Sequence, residues 1–521
     1  MMSPSRVERE RGAKEMPSIQ LPSQSGSARN GGTSALRRNA SHALLMAATL
    51  SLGACASFID PVEDTVVNAA EYIPLESDWA EPAPEGLPRT DWVQGFGDER
   101  LTSLVTRARA ENPSVRRTLA QLDQAFAARN IGRSALFPTL DVGGTVRRSE
   151  GGIGFNAGST SYDFGFTSRW EVDLVNRIRD GVAADGRAIE ASAADIAALE
   201  LTVTSRLATS WFDAIEAALL VRLSADDIAT QERALRLTQR RFESGLTGSS
   251  DVRLARSSVA SSQALEQSRL QLRDSTIRSV QILARDYPDA ELDLPTDLPE
   301  LPPLTGVGTP ADMLARRPDV IAAERRIAQA GLDVDVARKA LYPSLTITGG
   351  VSDQALSTAG GDLLDVFDLS SLAYSLAESL TAPIFQGGRL RAQVDAQRAA
   401  LTAQVETYAE TVLQAYLEVE NALDAEQRLA AREAALRVSL DEAIKAEERL
   451  ELRYVEGLAT ILQLLDAQGR RLNADGQLIS ARAERLSNRV RLHVALGGSG
   501  YSPPPDLAES RPVEFLGIEL P

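Results

Sequence analysis

Apolar and polar side chains alternate along two short segments in each half of the chain. In the first half, the apolar positions are Leu140, Val142 and Val146, followed by Tyr162, Phe164, Phe166, Trp170, Val172 and Leu174. In the second half, they are Leu345, Ile347 and Val351, followed by Leu372, Tyr374, Leu376 and Leu380. A period of two predicts β-strands with one apolar face, and an aromatic face opposed to a polar one is what a transmembrane β-barrel strand needs. The alternative is an amphipathic hairpin that covers a soluble core.

Polar stretches rich in glycine and serine separate the paired strands, at Arg148–Ser161 and Asp353–Ser371. Ser168 and Glu378 interrupt the apolar face, and we expect them at equivalent places in the two hairpins. Four strands cannot close a barrel, because the smallest barrels have about eight. An open sheet edge in lipid leaves backbone groups without partners. The chain is therefore expected to oligomerise in the membrane, with two copies supplying eight strands or three supplying twelve.

Very long helices are predicted on either side of these strands. Proline, which breaks helix interiors, is absent from Thr139–Tyr287 and from Ile384–Ser502. Within these windows, Arg177–Phe242 and Gly388–Tyr454 are rich in good helix formers. Each helix has about 66 residues and a length of roughly 100 Å, and each is expected to be followed by a returning helix. The turns fall at Glu243–Ser250 and Val455–Thr460.

The two halves repeat one plan. Residues 113–146 match residues 318–351 without a gap, at an offset of 205 positions. Further on, Arg241-Phe242-x-x-Gly245-Leu246 mirrors Arg453-Tyr454-x-x-Gly457-Leu458. The predicted organisation is an N-terminal extension and signal (1–54), an N-terminal segment (55–110), a first repeat (111–293), a linker (294–310), a second repeat (311–498) and a tail (499–521).

Composition narrows the possible functions. The formal net charge of −17 argues against nucleic acid. One cysteine, Cys55, and two histidines, His42 and His493, exclude a disulfide within the chain and leave too few ligands for a zinc site. An enzyme that uses only carboxylates remains open on composition alone, but the acids show no clustered pattern. We expect no catalytic residue, no metal and no cofactor, and we predict that the chain is not an enzyme.

The N-terminus carries a predicted export signal. Arg37-Arg38 precedes an apolar stretch, Ala43–Leu52, and then Leu52-Gly53-Ala54-Cys55. Charged, apolar and small-residue regions in this order form a secretory signal, and Leu-Gly-Ala-Cys resembles the bacterial lipobox. This resemblance implies that Cys55 becomes the first residue and carries covalent acyl and diacylglyceryl chains. An ordinary signal peptide with a chance cysteine is the alternative.

Several motifs together resemble the TolC-like outer-membrane factors, specifically the NodT-type efflux lipoproteins. They are Leu314-Ala-Arg-Arg-Pro-Asp-Val320, Ala323-Glu-Arg-Arg326, Leu341-Tyr-Pro-Ser-Leu345, Leu464-Leu-Asp-Ala-Gln468, Trp170-Glu-Val-Asp173, Pro383-Ile-Phe385 and Gly387-Gly-Arg389. The resemblance implies a mixed α+β membrane protein, a homotrimer with a 12-stranded β-barrel continued by an α-helical coiled-coil tunnel. It also implies three partners: outer-membrane lipid, a periplasmic membrane-fusion adaptor and an inner-membrane pump of the RND type.

The resemblance further implies where the tunnel narrows. The closing layers fall on Asp466 and Leu462, and Tyr454 matches a position that tethers neighbouring helices. The position after it is often arginine but is Val455 here. Asp466 as a solvated coiled-coil charge is the alternative. Glu447, an acid in the same helical region, is expected to be exposed. The expected adaptor-contacting tips contain Gly245, Leu246, Gly457 and Leu458, and the expected lipid-facing barrel residues are Tyr162, Phe164, Phe166, Trp170 and Tyr374.

The resemblance therefore implies a passive duct of a tripartite efflux system, which exports drugs or other small molecules. We expect it in the outer membrane of a Gram-negative bacterium, anchored by lipid and extending into the periplasm. A structural coiled-coil lipoprotein that spans the periplasm without transport is the alternative. Such a spacer has no need of four amphipathic strands or of duplicated glycine-containing tips.

Overall fold

The computed structural model describes residues 77–149, 159–304, 306–357, 373–501 and 503, together with two short C-terminal strands. At 149, 159–161, 353–357 and the two C-terminal strands it describes only the backbone. Cys55 and the predicted signal lie outside these residues, as does most of the predicted tail.

The described elements follow one order twice. After a short helix α1 (Glu99–Glu111), the first half contains α2 (Pro113–Ser134), β1 (Thr139–Ser149), β2 (Ser159–Val172), α3 (Arg177–Glu243) and α4 (Ser249–Leu283). After α5 (Pro310–Arg316), the second contains α6 (Pro318–Lys339), β3 (Ser344–Ser357), β4 (Ala373–Thr381), α7 (Arg389–Val455) and α8 (Ile461–Ala495). A hairpin of β5 (Val513–Phe515) and β6 (Ile518–Leu520) follows.

Matching helices of the two halves have equal lengths. α2 and α6 have 22 residues each, α3 and α7 have 67, and α4 and α8 have 35. The boundaries predicted for the two long helices from their stretches of helix-forming residues are correct to within one residue. Duplication of one unit explains this equality.

Side-chain caps fix where helices α3 and α8 begin. The Asp173 carboxylate accepts hydrogen bonds from the amides of Ile178 and Arg179, at 3.1 and 3.0 Å, at the start of α3. Thr460 and Gln463 form a capping box at the start of α8. Such caps satisfy amides that have no partner inside the helix.

β1 to β4 form one antiparallel sheet in sequential order, as the alternation predicts. The strand ends differ in part from the prediction. β3 continues to Ser357, so the first residues of the predicted loop Asp353–Ser371 are strand. β2 ends at Val172, and Leu174 lies in a turn beyond it, where its amide donates to the carbonyl of Val172. Leu372 lies outside the described residues.

The main core lies around the middle of the helices. Trp211 and Phe212 of α3 are fully buried against Leu101 of α1 and Leu486 of α8. A second cluster joins α7 to the start of the second half, through Val419, Leu423 and Met313. Alanines fill many remaining buried positions of the long helices, which allows close approach along their whole length. None of the described helices has an apolar stretch long enough to cross a membrane.

Candidate functional site: the apolar sheet face and the hairpin tips

The registers place the predicted apolar side chains on one face of the sheet. Val142 lies opposite Phe166, Phe166 opposite Val351, and Val351 opposite Tyr374. These residues are not covered by the rest of the chain, and Tyr374 is 89% exposed. Neighbouring members of this face are Leu140, Val146, Tyr162, Phe164, Ile347, Leu376 and Leu380. The continuous apolar surface matches what a lipid-facing band requires.

The opposite face of the sheet is polar in every strand. Its members include Asp141, Thr145, Arg147, Asp163, Thr167, Arg169, Glu171, Thr346, Thr348, Ser352, Ser375 and Ser379. Small and charged side chains on this face suit a water-filled lumen.

Trp170 marks the end of the sheet next to the helices. Its indole nitrogen donates a 2.9 Å hydrogen bond to the carbonyl of Leu136, which precedes β1. The ring is therefore half-buried rather than free. Tryptophan commonly lies where an apolar band meets water, because the ring is apolar and its N–H needs a partner.

The expectation that Ser168 and Glu378 occupy equivalent places is wrong. Leu140 lies opposite Ser168 in the first hairpin, and its counterpart Leu345 lies opposite Leu380 in the second. Ser168 therefore corresponds to Leu380, and Glu378 corresponds to Phe166. The error arose because the segment between the strands is longer in the second half, which the spacing of apolar residues did not reveal.

The two hairpin tips, residues 244–248 and 456–460, share one backbone conformation. Gly245 and Gly457 have φ of 72° and 83°, a region that other residues enter only with strain. The amide of Leu246 donates to the carbonyl of Arg241, and that of Leu458 to the carbonyl of Arg453, both at 2.8 Å. These bonds end each long helix as a Schellman motif. Leu246 and Leu458 remain exposed, so each tip presents one leucine outward.

Tyr454 joins the two halves just before the second tip. Its side chain is 2% exposed, and its hydroxyl lies 2.9 Å from the hydroxyl of Thr238 on α3. The guanidinium of Arg241 donates to the carbonyl of Tyr454 and lies over its ring, 4.8 Å from the centroid. The sequence marked Tyr454 but missed Thr238 and Arg241, because no local pattern indicates which residues of a distant helix meet it.

Asp466 and Leu462 share one side of α8, four residues apart. Leu462 is 64% exposed, and the Asp466 side chain is 60% exposed. The Asp466 carboxylate also forms a 2.9 Å ion pair with Arg470, one helical turn further on. Arg470 was not predicted, although the spacing of four residues between an acid and arginine was visible in the sequence.

The expectation that Glu447 is exposed is wrong. Glu447 is buried between α7 and α8, where it forms an ion pair with Arg471. Burial raises the pKa of the Glu447 carboxyl above its usual range, although the charge of Arg471 opposes the rise. The spacing of apolar residues along a helix locates the buried face only approximately. An acid at the border of that face, such as Glu447, is therefore easily predicted to be exposed.

A sheet with one apolar and one polar face, continued by paired hairpins of 67-residue and 35-residue helices, is the architecture of an outer-membrane channel subunit. The sequence profile described as outer membrane efflux protein matches residues 104–284 and 309–498. This chain belongs to that family.

Individual relatives agree. The pyoverdine export outer membrane protein OpmQ of Pseudomonas aeruginosa is 30% identical over 473 residues, 88% of this chain and 97% of the relative. The toluene efflux pump outer membrane protein TtgF of Pseudomonas putida is 28% identical over 483 residues, 88% of this chain and 96% of the relative. The solved outer-membrane channel OprN is similar in fold, with a TM-score of 0.74 and 25% identity, covering 82% of this chain and 97% of that one.

The family confirms the fold class and the location predicted from the sequence. The chain is an outer-membrane efflux channel subunit of a Gram-negative bacterium, with four barrel strands and long helical hairpins. A channel is thereby favoured over a coiled-coil spacer without transport.

Proposed function

We propose that three copies of this chain form a passive duct that runs from an inner-membrane pump, through a periplasmic adaptor, to the cell exterior. The chain contributes no catalytic chemistry to this export. One observation carries the proposal: the same chain has a sheet with an apolar face suited to lipid and two helical hairpins whose tips expose a leucine. The face supplies a barrel wall, and the tips supply a docking end.

Lipid anchoring at Cys55 completes this proposal. Two acyl signals hold a protein stably at a membrane, since each buried CH₂ contributes about 0.8 kcal/mol. The anchor would hold the chain at the membrane while the barrel assembles.

The two tips suit contact with an adaptor. Leu246 and Leu458 are exposed apolar side chains on a rigid glycine turn, and such a pair of small apolar contacts can insert into the surface of a helical partner. The backbone hydrogen bonds that end α3 and α7 also hold the backbone of each tip in one conformation. Because this conformation exists before the adaptor binds, the entropic cost of association is lower.

Cargo is chosen elsewhere in the assembly. Relatives of similar sequence are named for pyoverdine export and for toluene efflux, two compounds that share little chemistry. We propose that this duct carries drugs or other small molecules delivered by an RND-type pump, without binding them selectively.

Adaptor capture tests the proposal. Cells that produce the wild-type protein are treated with a crosslinker, and the protein is then purified with its native outer-membrane lipids. One periplasmic adaptor and one inner-membrane pump should be recovered with it. Leu246→Glu with Leu458→Glu should lose the adaptor while the trimer persists on native electrophoresis. The matched control is Leu254→Glu, an exposed leucine beyond the tip on α4. Normal adaptor recovery by the double variant would refute the docking role of the tips.

A further inference from the structure

The sheet has two free edges, β1 and β4, which run antiparallel to each other. We propose that β4 pairs with β1 of a second copy in one defined register, which sets Glu378 beside Arg148 of the partner subunit on the apolar face. This inference rests on the homotrimer of the proposed function and goes beyond it by fixing the register and the residues at the seam.

The duplication supplies the register. α2 begins at Pro113 and α6 begins 205 positions later, at Pro318, whereas α3 begins at Arg177 and α7 begins 212 positions later, at Arg389. The sheet obeys the same two offsets. Leu140 pairs with Ser168, and their counterparts Leu345 and Leu380 pair with each other. β1 therefore corresponds to β3, and β2 corresponds to β4.

The contact between β2 and β3 is thus a template for the seam. Within the chain, Phe166 lies opposite Val351. Their counterparts in the other half are Glu378 and Val146. A seam built like the internal contact therefore places Glu378 opposite Val146 of the partner subunit, and Ser375–Thr381 opposite the partner's residues 143–149.

This register brings two opposite charges together. Arg148 lies two positions after Val146 on the same face of β1, opposite Leu376 in the proposed seam. Glu378 is then diagonal to Arg148 of the partner subunit, a separation that long side chains span. The Glu378 carboxylate is unfavourable on a lipid face, so a neighbouring positive charge offsets the cost. The acid that breaks the apolar pattern is therefore explained as one half of a contact between subunits.

The same register gives the most exposed apolar side chain beyond β4 a neighbour. Ile384 is 96% exposed in the single chain. The counterpart of Ile384 in the first half is Val172, which still belongs to β2 and lies opposite Leu345. Ile384 therefore falls opposite Leu140 of the partner subunit, itself exposed in the single chain. In this register Ile384 and Leu140 of the partner subunit are neighbours and cover part of each other.

Disulfide trapping in the full-length protein tests the register. Thr145→Cys with Ser379→Cys places a cysteine pair directly opposite at the seam, and oxidation should give a covalent trimer on a non-reducing gel. In the matched control, Thr145→Cys with Ala377→Cys, both cysteines lie on the same face of the sheet, but they are two residues out of register. Each single variant controls for reaction with Cys55. Trapping of the control pair alone, in protein that is trimeric on native electrophoresis, would overturn the register and leave the trimer standing. Absence of any trimer would instead refute the proposed homotrimer.

Charge exchange tests the ion pair. Arg148→Glu and Glu378→Arg should each lower the temperature at which the trimer dissociates in detergent. The double exchange should restore most of that loss. Arg147 lies on the polar face of β1, so Arg147→Glu combined with Glu378→Arg should give no restoration. Strictly additive losses in the first double variant would overturn the pairing of Glu378 with Arg148 of the partner subunit, even if the register is correct.

Discussion

The hydroxyl oxygens of Tyr454 and Thr238 lie 2.9 Å apart and join the two long helices α7 and α3 near their ends. Tyr454→Phe removes this bond without changing the volume of the ring. Tyr454 is a predicted tether of the closed tip, and a net hydrogen bond contributes about 1 kcal/mol. If the bond breaks when the tip opens, its removal should lower the ratio of closed to open tips by roughly fivefold per chain. Basal conductance in planar bilayers should rise.

Thr238→Val should give a similar rise, and the double variant should add little to either single one, because both remove the same bond. Independent effects of the two substitutions would show that the tip is held by other contacts, such as those of Arg241.

Charge at the narrow end should set ion selectivity. If Asp466 lines the tunnel, three carboxylates favour cations, and Asp466→Asn should lower the cation preference measured by reversal potential. Arg470 offsets part of that charge through its 2.9 Å ion pair. Arg470→Gln should therefore raise the cation preference.

Leu462 is the predicted apolar layer of the constriction. Leu462→Ser should increase leakage of vancomycin-sized molecules into cells.

The control for this series is Glu448→Ala, an exposed acid on α7. Glu447 does not serve, because its removal would leave Arg471 without its ion-pair partner. Unchanged selectivity in both Asp466→Asn and Arg470→Gln would place the constriction elsewhere.

Lipidation is predicted at Cys55, from the Leu-Gly-Ala-Cys motif. Cys55→Ser should abolish labelling by a fatty-acid analogue in growing cells, while Ser57→Ala nearby should leave it intact. Assembly should slow without being lost, because the barrel supplies its own membrane contacts. Equal labelling of Cys55→Ser and wild type would end the lipoprotein hypothesis.

The two faces of β2 should tolerate charge differently. Phe166 lies on the apolar face and Thr167 on the polar one. Phe166→Arg should destabilise each chain by about 2–4 kcal/mol if the site lies near the bilayer midplane, whereas Thr167→Arg should assemble normally. The yield of heat-resistant trimer measures both variants. Equal yields would contradict a membrane strand.

His493 should make stability depend on pH. It stacks on Trp92, with ring centroids 5.4 Å apart, and burial lowers its pKa to about 4, helped by the charges of Arg489 and Arg89. Because the pKa of His493 in the folded chain lies below the unfolded value of about 6.5, the unfolded chain binds more protons between about pH 4 and pH 6.5. Stability is therefore full above about pH 6.5 and falls by about 3 kcal/mol towards pH 4.

Urea unfolding at pH 7.5 and at pH 5 measures this effect. His493→Phe keeps the stacked ring but cannot take up a proton, so its midpoint should change less between the two pH values than that of the wild type. An identical change in both proteins would show that groups other than His493 cause the loss. Buried carboxyls such as Glu216, whose pKa burial raises, act in the opposite direction, because the folded chain binds their protons more tightly than the unfolded chain does.

The sequence by itself determined the elements and their repetition. Proline removes a helical hydrogen bond and clashes with the preceding turn, so two long proline-free windows showed where long helices could form. Within them, residues that favour helix marked the ends of α3 and α7 to within one residue. Alternation along Tyr162–Val172 marked the apolar face of β2, because a strand turns each successive side chain to the opposite side. Both signals depend only on residues close together in the sequence, so they can be read without knowledge of the tertiary structure.

Only the tertiary structure decided which distant residues meet. The pairing of Tyr454 with Thr238 and the burial of Glu447 against Arg471 depend on how separate helices are rotated and staggered, which no local period specifies. The counterpart of Glu378 likewise depended on strand register. A shift of two residues preserves the alternation of faces, so the sequence pattern fits either alignment, and only the hydrogen-bonded ladder of β3 and β4 distinguishes them.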